Sequence, residues 1–338
     1  MREGKTKRRG KRFGRGREGS FDTEVWVSMR ILHIGDFAGI STELSRAQRK
    51  LGHTSDTLTF VPSQYAYPTD FFLPVRARFP LRAIERMILF PSYMDNYDIL
   101  HFHGGEDDAI LPKGIDFALW RLLGKRVVIH HHGHDIRYKK ENPFFTALAN
   151  GIFVSTPDLL KYSPEAVWLP SPVPVAEMPY VGVKEKAASE TVTILHAPTA
   201  RSIKGTEFIV KAVEQLKKEG RRAELVVVEN TRHDEAQKLF KTADIVVDQL
   251  IMGWYGMFAI ECMSMGKPVC CYVSPDMERF LPSPMPVMNT SQTNITDALR
   301  ELIDDFNMRA ELGRRGRAYV EEIHDSPKVA EQSVKLYQ

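Results

Sequence analysis

The sequence predicts an α/β protein built from two Rossmann-like, doubly wound domains that face each other across a cleft. Three observations predict it. From Met29 onward, short apolar runs suited to strands alternate with amphipathic helical runs, the pattern of parallel βαβ winding. The alternation stops at a proline-rich run and then starts again. The chain has 338 residues, enough for two ordinary domains.

Taken in order, the first half opens with the strand "RILHI" and the helix "STELSRAQRKLG", with Ser41 or Thr42 as N-cap and Gly52 as stop. The strand "YDILHFH" and the helix "IDFALWRLLG" follow, then the strands "KRVVIHHH", "NGIFVST" and "AVWLP". Residues 61–80, rich in proline and aromatics, read as loop. The run "LPSPVPVAEMP" holds four prolines and, with the polar stretch after it, marks the domain boundary. The second half restarts with the strand "TVTILHAP" and a helix from Lys204 to Gly220. "AELVVVE", "DIVVDQL" and "KPVCCYV" are strands, "HDEAQKLFKTA" and "GMFAIECMSMG" helices, and the C-terminal part reads as two or three amphipathic helices. The expected division is a tail at 1–28, a first domain at 29–172, a linker at 173–190 and a second domain at 191–320. A last helix at 321–338 is placed against the first domain.

The chain's net charge of +3 is uneven: residues 1–20 hold nine Lys/Arg against two Asp/Glu, which leaves −4 for the rest. The tail cannot bury enough apolar surface to order itself, so it is expected to be disordered. It can attract RNA or anionic lipid, but the favoured reading is a solvated tail or sequence upstream of a start at Met29, and no specific nucleic-acid partner is expected. The three cysteines, Cys262, Cys270 and Cys271, form no disulfide framework and fit a reducing cytoplasm. No apolar run reaches the roughly 18–20 residues that span a bilayer.

In doubly wound sheets, ligands bind beyond the carboxyl ends of the strands. That rule selects Gly35–Thr42, His101–Asp108, His130–Arg137, Pro198–Lys204 and Leu250–Glu261. In "HAPTARSIKGTEF", Arg201 and Lys204 stand at the entry to a helix, where amides and cations favour a pyrophosphate; the alternative is an ordinary loop with solvated charges. In "GWYGMFAIECMSMGKPV", Glu261 shares its helix face with Trp254, Phe258 and Met265. A carboxylate there needs a partner, either the vicinal hydroxyls of a ligand or a nearby Arg or Lys.

These segments resemble the retaining GT-B glycosyltransferases of the "glycosyl transferases group 1" family. "APTARSIKGT" is similar to the family's basic loop, and "ADIVVDQLIMGWYGMFAIECMSMGKPVCCYV" to its donor-binding segment. "YDILHFHG" and "VVIHHHGHDIR" are similar to its first-domain patterns, and the likeness runs from about Arg30 to Gln338. The resemblance implies transfer of a sugar from a nucleotide-diphosphate sugar to an acceptor hydroxyl with retention, and no cofactor, the nucleotide sugar being a substrate. Arg201 and Lys204 would neutralise the departing diphosphate, with amides near Tyr255 and Gly256 beside them. Glu261 would hold the ribose, Gly39 would approach the donor phosphates, and His132 would contact the transferred sugar. The family has two glutamates separated by seven residues, the first of which contacts the sugar; that first position is Gly253 here, with Asp248 or Gln249 as substitutes. That departure raises the alternative of a catalytically silent GT-B protein that binds a nucleotide or sugar. The acceptor would be a sugar or a lipid-linked sugar, and "FPLRAIERMILFPSYM" suits either a peripheral membrane contact or, preferably, an amphipathic core helix.

Four histidines end one strand. His130 and His132 share a face, His131 takes the other, and His134 follows in a turn begun by Gly133. His130 and His132 can begin a zinc site that His101 or His103 completes, but no helical metal motif accompanies them and no metal is expected. His130 and His131 read as core groups and His132 and His134 as facing the cleft; His101, His103, His134 and Asp135 are placed on the acceptor side or behind it.

Overall fold

The computed structural model describes residues 28–62, 65–74, 81–104, 111, 114–137, 139, 142–187 and 189–338. Apart from Ser28, the predicted tail therefore lies outside the described residues.

The first sheet has seven parallel strands: β1 (Arg30–Ile34), β2 (Thr54–Thr59), β3 (Phe71–Phe72), β4 (Ile99–Phe102), β5 (Arg126–His131), β6 (Gly151–Val154) and β7 (Val167–Trp168). Their spatial order is β3-β2-β1-β4-β5-β6-β7. Helices α1 (Ile40–Lys50), α2 (Leu81–Leu89), α3 (Pro91–Met94), α4 (Ile115–Leu122) and α5 (Pro143–Leu148) belong to this half. The second sheet is also parallel, with β8 (Val192–His196), β9 (Ala223–Val227), β10 (Ile245–Val247), β11 (Val269–Cys271) and β12 (Met288–Asn289) in the order β12-β11-β10-β8-β9. It carries α6 (Arg201–Lys204), α7 (Thr206–Lys218), α8 (His233–Phe240), α9 (Met257–Ser264), α10 (Ile295–Asp304) and α11 (Phe306–Ile323). The strand order reverses between β1 and β4 and again between β8 and β10, so each domain has a crevice at those strand ends where a ligand can sit.

Every predicted strand and helix is present, and two strands of the first sheet appear that periodicity did not reveal. Strand β2, "TSDTLT", hides its hydroxyls by bonding them: Ser55 Oγ donates to Gln48 Oε1 at 2.7 Å and Thr57 Oγ1 to Asp70 Oδ2 at 3.0 Å. Hydrophobic alternation cannot find a strand whose buried side chains are polar. Helix α1 starts earlier than expected, at Ile40 with Gly39 as its N-cap in place of Ser41 or Thr42. Gly39, at φ +78°, precedes it, and Asp36 Oδ1 accepts from the Ser41 amide and hydroxyl at 3.0 and 2.6 Å. Asp36 thus does the capping that Ser41 or Thr42 was expected to do.

Helix α2 also departs from the core-helix expectation. Leu81, Ile84 and Ile88 are exposed, whereas Arg86 is buried with its guanidinium 3.9 Å from the Phe60 ring centre. Among the described residues no helix is long and apolar enough to cross a membrane. All three cysteines are buried and unpaired.

The last helix, α12 (Ser326–Tyr337), packs on α1 of the first domain. Val329, Ala330 and Tyr337 share a core with Ile31, Leu44, Ala47, Val128 and Phe153. The chain crosses between the lobes twice at one place: the Val173 amide donates to the His324 carbonyl at 2.8 Å and the Ser326 amide to the Val173 carbonyl at 3.0 Å. Val173, Val175 and Met178 belong to the core of the second half.

Candidate functional site

The site begins at the second domain's switch point. The β8 strand ends at His196, whose Nδ1 donates to the Val247 carbonyl at 2.8 Å and whose Nε2 accepts from Thr206 Oγ1 at 2.9 Å. This ties β8 to β10 and to the start of α7. Between them lies α6, carrying Arg201 and Lys204. Lys204 Nζ donates to Asp248 Oδ1 at 2.7 Å, and the Gly256 amide donates to Asp248 Oδ2 at 2.6 Å. Lys204 is largely buried and Asp248 fully so, so the ammonium is held beside the first turn of α9. A Cβ at Gly256 would sit 3.2 Å from Lys204 Nζ, and glycine there leaves room for the cation. Arg201 forms a fork with Glu229 at 2.6 and 2.9 Å and is half exposed.

Glu261 lies on α9 and is buried. Its partner is neither an Arg nor a Lys but His233, whose Nε2 lies 2.5 Å from Glu261 Oε1. Burial works against protonation of His233, but the bond and charge of Glu261 outweigh it and the imidazole's pKa is raised. His233 is the first residue of α8, just past the carboxyl end of β9. The same strand-end rule that selected the other loops reaches it, although no sequence motif marks it.

The first domain meets this group through Tyr67. Its ring centroid lies 4.8 Å from that of His233, and the His233 amide donates to the Tyr65 carbonyl at 3.4 Å. Tyr67 also covers Gly39, where a Cβ would come within 2.4 Å of the ring. Tyr67 falls in the 61–80 stretch that composition alone called loop. Beyond Gly39, Phe37 stacks on His132 and His134 with centroids 5.2 and 4.9 Å apart. His132 stacks on Phe37, the chain leads from Phe37 to Gly39, and from there Tyr67, His233 and Glu261 touch in turn, with α9 leading on to Lys204.

Other predicted residues are placed differently. Tyr255 turns its side chain into the core: its hydroxyl is 2.9 Å from His324 Nε2 and 2.7 Å from the Tyr319 hydroxyl. His324 Nδ1 donates to the Ser171 carbonyl, so Nε2 accepts from Tyr255. Asp248 and Gln249 are both engaged. Gln249 accepts the amides of Ile251 and Met252 and donates to the carbonyls of Trp254 and Tyr272, so it knits the 250–254 turn. Gly253 has φ +82°, and a Cβ there would lie 3.0 Å from Ser274 Oγ, so the backbone itself disfavours a glutamate at this position.

Asp135 closes the turn after β5. It accepts from His131 Nδ1 at 2.6 Å and from the amides of His132 and Gly133 at 3.1 and 3.0 Å. Burial raises its pKa, but these bonds outweigh burial and hold it down at about 2. Because the folded pKa lies below the unfolded 3.8, this contribution is full above about pH 4 and is lost as pH falls towards 2. Thermal melts from pH 5 to 2 are expected to fall more steeply for the natural chain than for Asp135→Asn; parallel curves would remove Asp135 from this role.

His101, His103, His130 and His132 are buried, whereas His134 is exposed against Phe37. His101 Nδ1 lies 2.7 Å from the Tyr337 hydroxyl, and His103 Nδ1 lies 3.1 Å from His132 Nε2. Burial drives the pKa of each of the four well below the usual histidine value.

No protein-family model matches the chain. No curated protein matches it either. Solved structures do. One is HepE of Anabaena in complex with UDP and glucose, with TM-score 0.64 and 12% identity over 91% of this chain and 98% of that one. A second is sucrose-phosphate synthase from Thermosynechococcus elongatus, with TM-score 0.62 and 14% identity over the same shares. A third is an alpha-glucosyltransferase with UDP and a 13-mer DNA, with TM-score 0.64 and 11% identity over 92% of this chain and 100% of that one. The fold is GT-B. The GT-B frame makes the two sheets its two Rossmann-like lobes and the gap spanned by Tyr67 its inter-lobe cleft.

Proposed function

We propose that the chain is a glycosyltransferase that moves a sugar from a nucleotide-diphosphate sugar to an acceptor hydroxyl, with retention and without a metal in the transfer step. The observation that carries this is the buried Lys204, held by Asp248 at the start of α9, the helix whose Glu261 faces the first lobe through His233 and Tyr67. A leaving diphosphate develops negative charge, and a preorganised cation beside a helix start is suited to receive it. Arg201 adds to the field from the rim. Glu261, with His233 displaced, offers a carboxylate to the ribose hydroxyls. His132 serves the sugar from the first lobe. The solved complexes with UDP and UDP-glucose support this donor class. Retention and group 1 membership rest on the resemblance in the donor segment.

A sugar or lipid-linked acceptor enters from the first lobe. The outward Leu81, Ile84 and Ile88 of α2 support a peripheral membrane contact, and buried free thiols suit a reducing cytoplasm.

Glu261→Gln is expected to weaken nucleotide-sugar binding by roughly ten- to a hundredfold, the value of a charge-assisted hydrogen bond. Calorimetric titration measures it, and an unchanged Kd would take the ribose away from Glu261.

The second reading, a silent GT-B binding protein, is favoured by one fact: Gly253, Asp248 and Gln249 offer no spare carboxylate or amide to the sugar. A thermal-shift screen with UDP-, GDP-, ADP- and TDP-sugars, followed by turnover assays, separates the two. A donor at a hundred times its Kd stabilises the fold by about 2.7 kcal/mol. Binding with neither transfer nor hydrolysis selects the silent protein, and no binding at all sinks both.

A further inference from the structure

Five imidazoles meet inside the first domain: His33 on β1, His101 on β4 and His103 just beyond it, His130 on β5 and His132 just beyond it. The most exposed, His132, is 6% exposed. Neighbouring ring centroids lie 4.3 Å apart for His101 and His103 and 4.4 Å for His130 and His132. The sequence scatters these residues over about a hundred positions; parallel pairing of β1, β4 and β5 stacks them on one face of the sheet.

Their hydrogen bonds have a direction that the surroundings impose. Ser333 Oγ donates its only proton to the Ala330 carbonyl at 2.7 Å, so it accepts from Gln48 Nε2 at 2.9 Å. That orients the Gln48 amide with Oε1 towards His33 Nε2, at 2.9 Å. His33 therefore carries its proton on Nε2, and its Nδ1 accepts from His103 Nε2 at 2.9 Å. His103 is left with a lone pair on Nδ1, aimed at His132 Nε2. Other ring nitrogens of the cluster find no such partners. Among the described residues neither ring nitrogen of His130 has a partner, nor does His132 Nδ1 or His101 Nε2. Buried polar nitrogens are normally paired, and a cluster of orphans points to a missing partner.

His103, His130 and His132 can each present one ring nitrogen so that the three lie within 4.8 Å of one another. We propose that these three histidines bind a divalent cation of the zinc class behind the floor of the cleft. Three imidazoles with no oxygen ligand suit Zn²⁺, whereas Mg²⁺ and Ca²⁺ require oxygens. A tetrahedral ion with bonds of about 2.05 Å sets its ligands about 3.3 Å apart, close to the 3.1 Å already present between His103 and His132. Binding moves the His132 proton from Nε2 to Nδ1 and leaves the His130 proton on the ring nitrogen turned away, so all three nitrogens facing the ion carry lone pairs and the net charge on the rings is unchanged. His33 and Gln48 then act as the outer bonds that orient His103. The second trio, His33, His101 and His103, is weaker, because His33 Nδ1 already accepts from His103. The site shares His132 with the transfer reading, but the unpartnered imidazole nitrogens and the three-nitrogen geometry that argue for it do not depend on that reading.

The test uses the full chain without an affinity tag, stripped by chelator and dialysed against Zn²⁺, with Mg²⁺ as control. The expected result is one Zn²⁺ per chain by mass spectrometry, no retained Mg²⁺, a higher melting temperature, and intense visible bands when Co²⁺ replaces Zn²⁺. His130→Leu, which roughly keeps the side-chain volume but removes both ring nitrogens, should lose the retained ion and the Co²⁺ bands. Gln48→Leu should weaken affinity by roughly ten- to a hundredfold. No retained Zn²⁺ in the natural chain, or equal retention in folded His130→Leu, overturns the proposal. If His130→Leu does not fold, the Co²⁺ spectrum of the natural chain decides: intense tetrahedral bands support the site, and weak octahedral bands or none overturn it.

Discussion

Lys204→Ala is expected to lose both transfer and stability. Asp248 is fully buried and Lys204 is its cationic partner, so truncation leaves a buried carboxylate with the Gly256 amide as its remaining bond. Breaking a buried pair from one side costs on the order of 3 kcal/mol. Removing one preorganised group that meets developing charge costs roughly a hundred- to a thousandfold in rate. The two effects separate in the double variant Lys204→Met with Asp248→Asn, which replaces the charged pair by neutral groups of similar size. Its melting temperature should recover most of the loss while turnover stays low. Turnover that recovers along with stability would show that Lys204 merely holds Asp248.

Removing residues 326–338 should unfold the first lobe. Val329, Ala330, Val334 and Tyr337 are all at least 98% buried, three of them in the core beneath α1. Each large side chain contributes about 1.5–3 kcal/mol by burial, so their sum approaches the roughly 5–15 kcal/mol by which a domain is stable. Gln48 would also lose Ser333 and Tyr337, and His101 the Tyr337 hydroxyl. Calorimetry should show the cooperative transition of the first lobe abolished, and a melting temperature within a degree or two of the natural chain would refute the placement. Tyr337→Phe keeps the ring and removes the hydroxyl, so it should cost only about 1–3 kcal/mol.

Much of the fold was legible because its cues are local. The runs at Arg30–Ile34 and Val192–His196 are apolar for as long as a strand needs, and Gly220 stands just past the helix it stops. Strand β2 was not legible, because Ser55 and Thr57 are buried by hydrogen bonds rather than by hydrophobicity. Within the site, Lys204, Glu261, His132 and Gly39 came from strand-end position and motif resemblance. His233 and Tyr67 did not, since no motif marks either: His233 gains its place from Glu261 on the neighbouring helix and Tyr67 from Gly39 in its own domain, and the two meet each other across the domains. Tyr255 shows the converse: a residue inside a motif whose side chain serves the core.

Local periodicity, turn chemistry and the spacing of strand ends were enough to determine two parallel sheets and the loops that edge the cleft. Which polar groups meet was decided only by packing. Lys204 finds Asp248 44 residues away, Glu261 finds His233 28 away, and Gln48 finds Ser333 285 away. Such pairings depend on how whole elements stack, and a linear pattern carries no record of distance in space. The histidines show the same division: alternation put His130 and His132 on one face, but only the neighbouring strands brought His33, His101 and His103 to meet them.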